Sequence, residues 1–307
     1  MAARAAVSPG ATTATATRSR ARSVAGDLLT LTKPKVQSLL LFTTVTTMLV
    51  AGEPSLWLVL VTCLGGALSA GGAGAINHYL DRDLDAIMSR TSDRPVPSGR
   101  MPARMALAFG VTLGVASFAL LATAVNPLAA SLSLGGLVGY VGVYTVWLKR
   151  RTPQNIVIGG AAGAVPPLVA WAAVTGSVGA EAIYLFAVVF FWTPPHFWAL
   201  SLLMKDEYAR AGVPMLPVVR GEAETRWHIL LYTVVLVAWT AVLPLLVPAL
   251  DLGAVYVTAA AVLGGGFAVL AERLRRRADR TSALRTYLFS LAYLALLFAA
   301  LVADARL

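Results

Sequence analysis

The chain has 307 residues, 58% of them hydrophobic and only 13% charged; soluble domains carry about 25% charged residues, so a water-soluble fold is excluded. A net charge of +10 would suit a nucleic-acid binder, but here the cations punctuate apolar runs, which is the pattern of cytoplasmic loops between membrane spans. The single cysteine, Cys63, excludes an internal disulfide, and no Cys/His cluster with zinc spacing occurs.

Residues 1–27 are rich in Ala, Thr, Ser and Arg, with almost no large apolar side chains. Such a segment cannot bury a core, so a disordered cytoplasmic tail is expected there, with one polytopic domain over 28–307. The tail has the Arg-rich, acid-poor composition of an organellar transit peptide, but a high-GC bacterial sequence drifts to the same bias, and the bacterial reading is preferred. Hydrophobic runs follow at 36–51, 56–76, 103–124, 127–147, 155–175, 181–203, 228–248, 252–271 and 284–303. Each is close to the roughly 20 residues that cross a bilayer as a helix. The expected fold is therefore an all-α membrane protein, nine transmembrane helices bundled around a central apolar cavity open to the cytoplasm. Nine spans put the termini on opposite faces. With the N-terminus cytoplasmic and the C-terminus external, 24 of the 25 Lys and Arg residues fall on the inner face, Arg306 alone outside.

The second run leads directly into Asn77-His-Tyr-Leu-Asp81-Arg-Asp-Leu-Asp85. Asn77, Asp81 and Asp85 are spaced i, i+4, i+8, so a continuing helix sets them on one face. Three oxygen-bearing side chains at the lip of a span suit Mg²⁺, which takes carboxylate and water oxygens and leaves positions for substrate phosphates. Arg82, Arg90, Arg94 and Arg100 follow, cations suited to a diphosphate. A loop whose charges only set topology would explain the arginines but not the spaced acids.

Two runs are unusually small-sided, Gly65–Gly74 in the second and Gly159–Pro167 in the fifth. Close helix packing is the favoured use, room for a flat ligand the other. The loop Tyr144–Asn155 brings Lys149, Arg150 and Arg151 to the cytoplasmic face, and by itself is a topology signal. In the sixth run, Trp192-Thr-Pro-Pro-His196-Phe-Trp198 precedes Lys205-Asp206-Glu207 and Arg210. This second acidic loop emerges on the same face as the first, so the two are expected to meet across one cavity mouth. His196 lies two to three turns inside the membrane, as a functional group or as a histidine bonded to a neighbouring helix, and the residues weigh these equally. Pro194 and Pro195 are expected to bend the span and tip His196 into the cavity, with Phe197 and Trp198 as flat apolar walls. Arg273–Arg277 is expected to meet anionic headgroups, and Lys33-Pro34-Lys35 and His228 to act as anchors.

The Asn-x₃-Asp-x₃-Asp signature with nine spans and a second acidic loop resembles the UbiA-type intramembrane prenyltransferase superfamily. Four segments narrow the resemblance to its haem-farnesylating branch, the protohaem IX farnesyltransferase (haem O synthase) family: Asp85–Pro95, Tyr144–Ile156, Pro194–Trp198 and Ala211–Val218. It covers about residues 28–303. The resemblance implies transfer of a farnesyl group from farnesyl diphosphate to a vinyl group of haem B, with water added, giving haem O and diphosphate in the bacterial cell membrane. It also implies Mg²⁺ as cofactor, the lipid bilayer as surroundings and haem A synthase as a downstream partner. On this reading Asn77, Asp81, Asp85 and Asp206 are the metal-binding and catalytic set. Arg90, Arg94, Lys149 and Lys205 hold the diphosphate, and His196, Phe197 and Trp198 meet the haem. The chain departs from the superfamily pattern in its second loop, where the acids Asp206 and Glu207 are adjacent rather than spaced Asp-x₃-Asp. A sister enzyme acting on a quinone precursor or chlorin shares the acidic motifs, and Pro-Pro-His-Phe-Trp argues against it. A secondary transporter would also have many spans, but acids gathered at one surface and an odd span count fit paired repeats poorly.

Overall fold

The computed structural model describes residues 24–307. Of the tail expected to be disordered, residues 1–23 lie outside the described residues, while Val24–Asp27 begin a short helix, α1 (Val24–Leu31). That helix holds because Leu31 is buried against Ala75, Val96, Met101 and Ala106, and Asp27 faces Arg100 Nε at 3.4 Å.

Among the described residues every regular element is helical, and nine helical stretches are long and apolar enough to cross a membrane. In order they are α2 (Pro34–Ala51), α3 (Leu56–Leu80, followed by the short α4, Arg82–Ile87), α5 (Ala103–Ala124) and α6 (Pro127–Val138) continued by a π-helical segment (Gly139–Leu148). Then come α7 (Asn155–Gly163) with α8 (Val165–Thr175) as one broken span, and α9 (Ala180–Leu203). The short α10 (Lys205–Arg210) and α11 (Leu216–Val219) precede α12 (Gly221–Leu246), α13 (Ala254–Arg277) and α14 (Arg280–Asp304). All nine expected spans are present. Several run further than their apolar runs, all at the end of the bundle that carries most of the Lys and Arg residues: α3 to Leu80, α12 from Gly221, α13 to Arg277, α14 from Arg280. Apolar composition marks only the lipid-embedded length, whereas the backbone ladder continues as long as its ends are capped. The caps are visible in the sequence. Ser55 accepts from Leu58 N (3.2 Å), Asn126 from Ala129 N (2.8 Å) and Asp279 from Ser282 N (2.6 Å).

In lipid there is little hydrophobic force between helices, so close backbone approach supplies the packing. The glycine run of α3 does this against α5. A Cβ at Gly72 would come 2.7 Å from Gly110 O, and one at Gly110 would come 2.8 Å from Gly72 O; Ser117 Oγ bonds Gly65 O across the same seam (2.7 Å). Gly159 of α7 likewise makes room for the ring of Tyr144. At the centre, α9 is the most enclosed span, packing Leu185, Val188 and Val189 with Leu236 of α12 and Tyr293 and Leu297 of α14. Pro194 and Pro195 are buried inside α9, which runs unbroken through them.

Candidate active site

α3 stops at Leu80 and α4 starts at Arg82, with Asp81 between them at φ −94°, ψ 8°. The i→i+4 bonds nonetheless continue: Asp81 N donates to Asn77 O (2.9 Å) and Asp85 N to Asp81 O (2.8 Å). The three side chains therefore stay on one face, and all three are buried, at 3%, 1% and 3% exposure in chain order. Buried carboxylates require cations or donors, and these come from three other segments. Lys149, from the end of the π-helical segment, pairs with Asp81 Oδ2. Arg94 NH1 meets Asp85 Oδ2 at 2.7 Å. Lys33, at the start of α2, donates from Nζ to Asn77 Oδ1 at 2.6 Å. Asn77 Nδ2 then donates to Asp81 Oδ2 (2.6 Å) and to Thr145 Oγ1 (3.3 Å).

Local chemistry holds each cation in place. Thr91 Oγ1 bonds Asp85 O (2.9 Å), Ser98 Oγ bonds Arg94 O (2.6 Å) and Arg100 NH1 bonds Asp93 (2.8 Å), so the loop after α4 folds back over Asp85. Arg150 grips Asp83 with two bonds of 2.7 Å and reaches Leu80 O at 3.1 Å, which drives the Asp83 carboxyl below the usual range. Lys33 takes the left-handed conformation (φ 54°) immediately before Pro34. Burial first, and then Arg94 and Lys149, lower its pKa to about 7, against the pull of Asp85 and Asp81.

The second acidic loop does reach the first, but through Glu207. Its carboxylate accepts from Ser89 N (2.9 Å) and from the Ser89 hydroxyl, and Arg210 backs it at 3.0 Å. Asp206 is exposed beside it, and Lys205 turns to Glu222 (3.0 Å). Neither is brought to Asp81 or Asp85; Arg90 is exposed next to Ser89. Among the described residues no three His, Cys, Asp or Glu side chains converge as an ion site. The oxygen set is Asp81, Asp85 and the amide of Asn77. Asp81 Oδ1 is enclosed without a hydrogen-bond donor, Arg150 being nearest at 3.7 Å. An enclosed, unsatisfied carboxylate oxygen beside a second carboxylate fits a hard cation such as Mg²⁺.

His196 is buried, its Nδ1 2.7 Å from Ser290 Oγ on α14, its ring between Trp192 (4.3 Å) and Tyr287 (4.9 Å). No hydrogen bond engages its Nε2. The Phe197 ring meets the His196 ring edge-on at 5.3 Å, while Trp198 turns to other neighbours. Successive helical residues point about 100° apart, so Phe197 faces outward, 38% exposed. Trp198 packs edge-on against Tyr232 and His228 of α12. The site also contains residues that sequence reasoning assigned elsewhere or passed over. Lys33 was expected as an anchor. Thr145 carried no signal. His78 is 1% exposed with neither ring nitrogen bonded; its place next to Asn77 was the only hint.

A buried carboxylate–amide row ringed by lysine and arginine, at one end of a nine-span bundle, defines an all-α polytopic protein with a charged site at one face. The fold agrees with that of solved structures. One described as digeranylgeranylglyceryl phosphate synthase superposes with a TM-score of 0.73 at 17% identity, covering 92% of this chain and 98% of that one. A UbiA homologue from Archaeoglobus fulgidus bound to DMAPP and Mg²⁺ gives 0.66 at 18% identity, covering 90% and 99%. The sequence profile of the UbiA prenyltransferase family matches residues 39–300, and the chain belongs to that family. A protein named protoheme IX farnesyltransferase from Alkalilimnicola ehrlichii is 51% identical over 92% of this chain and 93% of its own length. A protein of the same name from Roseiflexus sp. (strain RS-1) is 55% identical over 92% of this chain. The chain spans about half the length of that relative and of a similar one from Chloroflexus aurantiacus.

Proposed function

We propose that the chain transfers a farnesyl group from farnesyl diphosphate to a vinyl group of haem B, with addition of water, giving haem O and diphosphate. The observation that carries this reading is the buried Asn77–Asp81–Asp85 row with its cations, in a chain half identical to proteins named for that reaction. Mg²⁺ held by Asn77, Asp81 and Asp85 would supply positive charge to the leaving diphosphate. Asp206, on the facing loop, is the further carboxylate available to a second ion.

The chain's own residues do the rest. Lys33, Lys149 and Arg94 already stand at the row, and with the exposed Arg90 they neutralise charge as the C1–O bond breaks and its electron pair leaves on the diphosphate, whereas Lys205 is held by Glu222. The vinyl π electrons then form the new bond to C1. The cation left next to the porphyrin ring is captured by water, which loses a proton. An apolar chamber between the helices would keep other water from the allylic cation. His196, fixed through Nδ1 by Ser290 and free at Nε2, is assigned to the haem, with Phe197 edge-on to its ring and Trp198 one residue on as the apolar walls beside it. The distribution of cations supports a cytoplasmic N-terminus and an external C-terminus in a bacterial cell membrane, with haem A synthase as the consumer of the product. Membranes supplied with radiolabelled farnesyl diphosphate and haem B test the reading. Label recovered in haem is expected; label recovered only in a phenol or chlorin, or in no acceptor, overturns it.

A further inference from the structure

At the cytoplasmic ends of α9, α12, α13 and α14 lies a second polar site, remote in sequence from the acid row. A cavity of about 130 Å³ opens there, lined by Arg226 and Arg280, by Glu222 and Asp279, and by apolar residues that include Leu203, Leu274 and Ala283. We propose that it binds the phosphate of an anionic glycerophospholipid from the inner leaflet. This stands whether or not the farnesyl-transfer reading holds.

The donors are poised and the acids are spent. Arg226 is mostly enclosed, 14% exposed; its NH1 stands 3.5 Å from Glu222, and its Nε is buried with no acceptor. A buried, unmet guanidinium N–H is costly and calls for an oxygen acceptor. Arg280 uses NH1 on Leu203 O (3.1 Å) and forms no ion pair. Glu222 is shared between Lys205 (3.0 Å) and Arg226, and Asp279 accepts from Ser282 N as the cap of α14. The cavity therefore offers arginine donors to an anion, and a tetrahedral phosphate is the acceptor that two guanidinium groups bind best.

The apolar lining argues for a lipid. Leu203, Leu274 and Ala283 line the same cavity as the two arginines, so apolar surface adjoins the cations, as a glycerol backbone and the first acyl carbons require. The position is that of the headgroups. Trp227, 57% exposed with Arg275 over its ring at 4.6 Å, marks the interface. Arg273, Arg277 and Arg285 lie exposed on α13 and α14, adding attraction for an anionic leaflet. The bound phosphate would join α12 to α14 through Arg226 and Arg280, beside the end of α9 that Arg280 already holds at Leu203 O.

The test uses the full chain in neutral detergent micelles, titrated with phosphatidylglycerol, phosphatidylcholine or inorganic phosphate. Lipid retention is read by native mass spectrometry and the melting temperature in parallel. Phosphatidylglycerol should be retained and raise the melting temperature, phosphatidylcholine should not, and Arg226→Gln or Arg280→Gln should each weaken retention about five-fold. The double change Arg273→Gln/Arg277→Gln should weaken it less than either. Equal retention of phosphatidylcholine, equal loss in the control pair, or competition by inorganic phosphate at matched concentration overturns the proposal. Arg280 is exposed, so Arg280→Gln decides the question alone if Arg226→Gln does not fold.

Discussion

Lys33 Nζ stands 2.6 Å from the side-chain oxygen of Asn77, joining the segment before the first span to the lip of the second. The same ammonium lies 5.9 Å from the ring centroid of Tyr140, so its charge is directed into the site rather than to solvent. On the farnesyl-transfer proposal a half-buried lysine in that place would contact a phosphate oxygen. Lys33→Ala is expected to weaken farnesyl diphosphate binding by about ten-fold or more, a charge-assisted bond being worth about 1.5–3 kcal/mol. Lys35→Ala, two residues on and exposed, should change it little. Equal effects of the two substitutions, measured by equilibrium binding, would remove Lys33 from the site.

The acid row makes a stronger demand. Asp81→Asn and Asp85→Asn keep side-chain shape but take away the charge that balances Lys149 and Arg94. Each should lower turnover at least about 100-fold, the scale on which removing one preorganised electrostatic group acts, while insertion into the membrane is unaffected. Chelation of divalent ions should stop the wild-type reaction, and added Mg²⁺ should restore it. Turnover near wild type in either variant at limiting Mg²⁺ would exclude the row from the mechanism.

Orientation is open to a direct check. A reporter fused after Arg94 or Arg210 should read cytoplasmic, and one fused after Leu307 should read external. Both loops reporting outside would invert the site as proposed.

The spans were legible because each is an apolar run of about 20 residues, and the row because i, i+4, i+8 spacing needs only a helix. Three features were not. Lys33 finds Asn77 across 44 positions, and no local pattern encodes that pairing. In the second loop the sequence offers Asp206 and Glu207 side by side, but neighbours on a helix point about 100° apart. The chain turns Glu207 to Ser89 and leaves Asp206 exposed, a choice of phase that adjacent acids do not disclose. The π-helical register of Gly139–Leu148, a form frequent at functional sites, gives the bond from Lys149 N to Tyr144 O (2.8 Å) and so helps aim Lys149 at Asp81. Apolar periodicity reads the same for α and π helices over so short a stretch.

His196 separates acceptor from donor chemistry. Its imidazole is anchored at Nδ1 by Ser290 Oγ and stacked between Trp192 and Tyr287, while the acid row draws its cations from other loops. If His196 meets the haem, His196→Ala should lose haem binding or farnesyl transfer to haem, yet bind farnesyl diphosphate as the wild type does. Ser290→Ala leaves the ring in place but frees its orientation, so it should weaken haem binding by a smaller factor, about five-fold for the loss of a roughly 1 kcal/mol bond. Trp192 Nε1 holds Ser290 O at 2.7 Å, so α9 and α14 remain joined in both variants and a loss of folding is not the expected cause. Haem titration spectra and diphosphate affinity measured on the same preparations decide the matter. Unchanged haem binding with collapsed diphosphate affinity would place His196 with the phosphate ligands and leave the haem without its assigned residue.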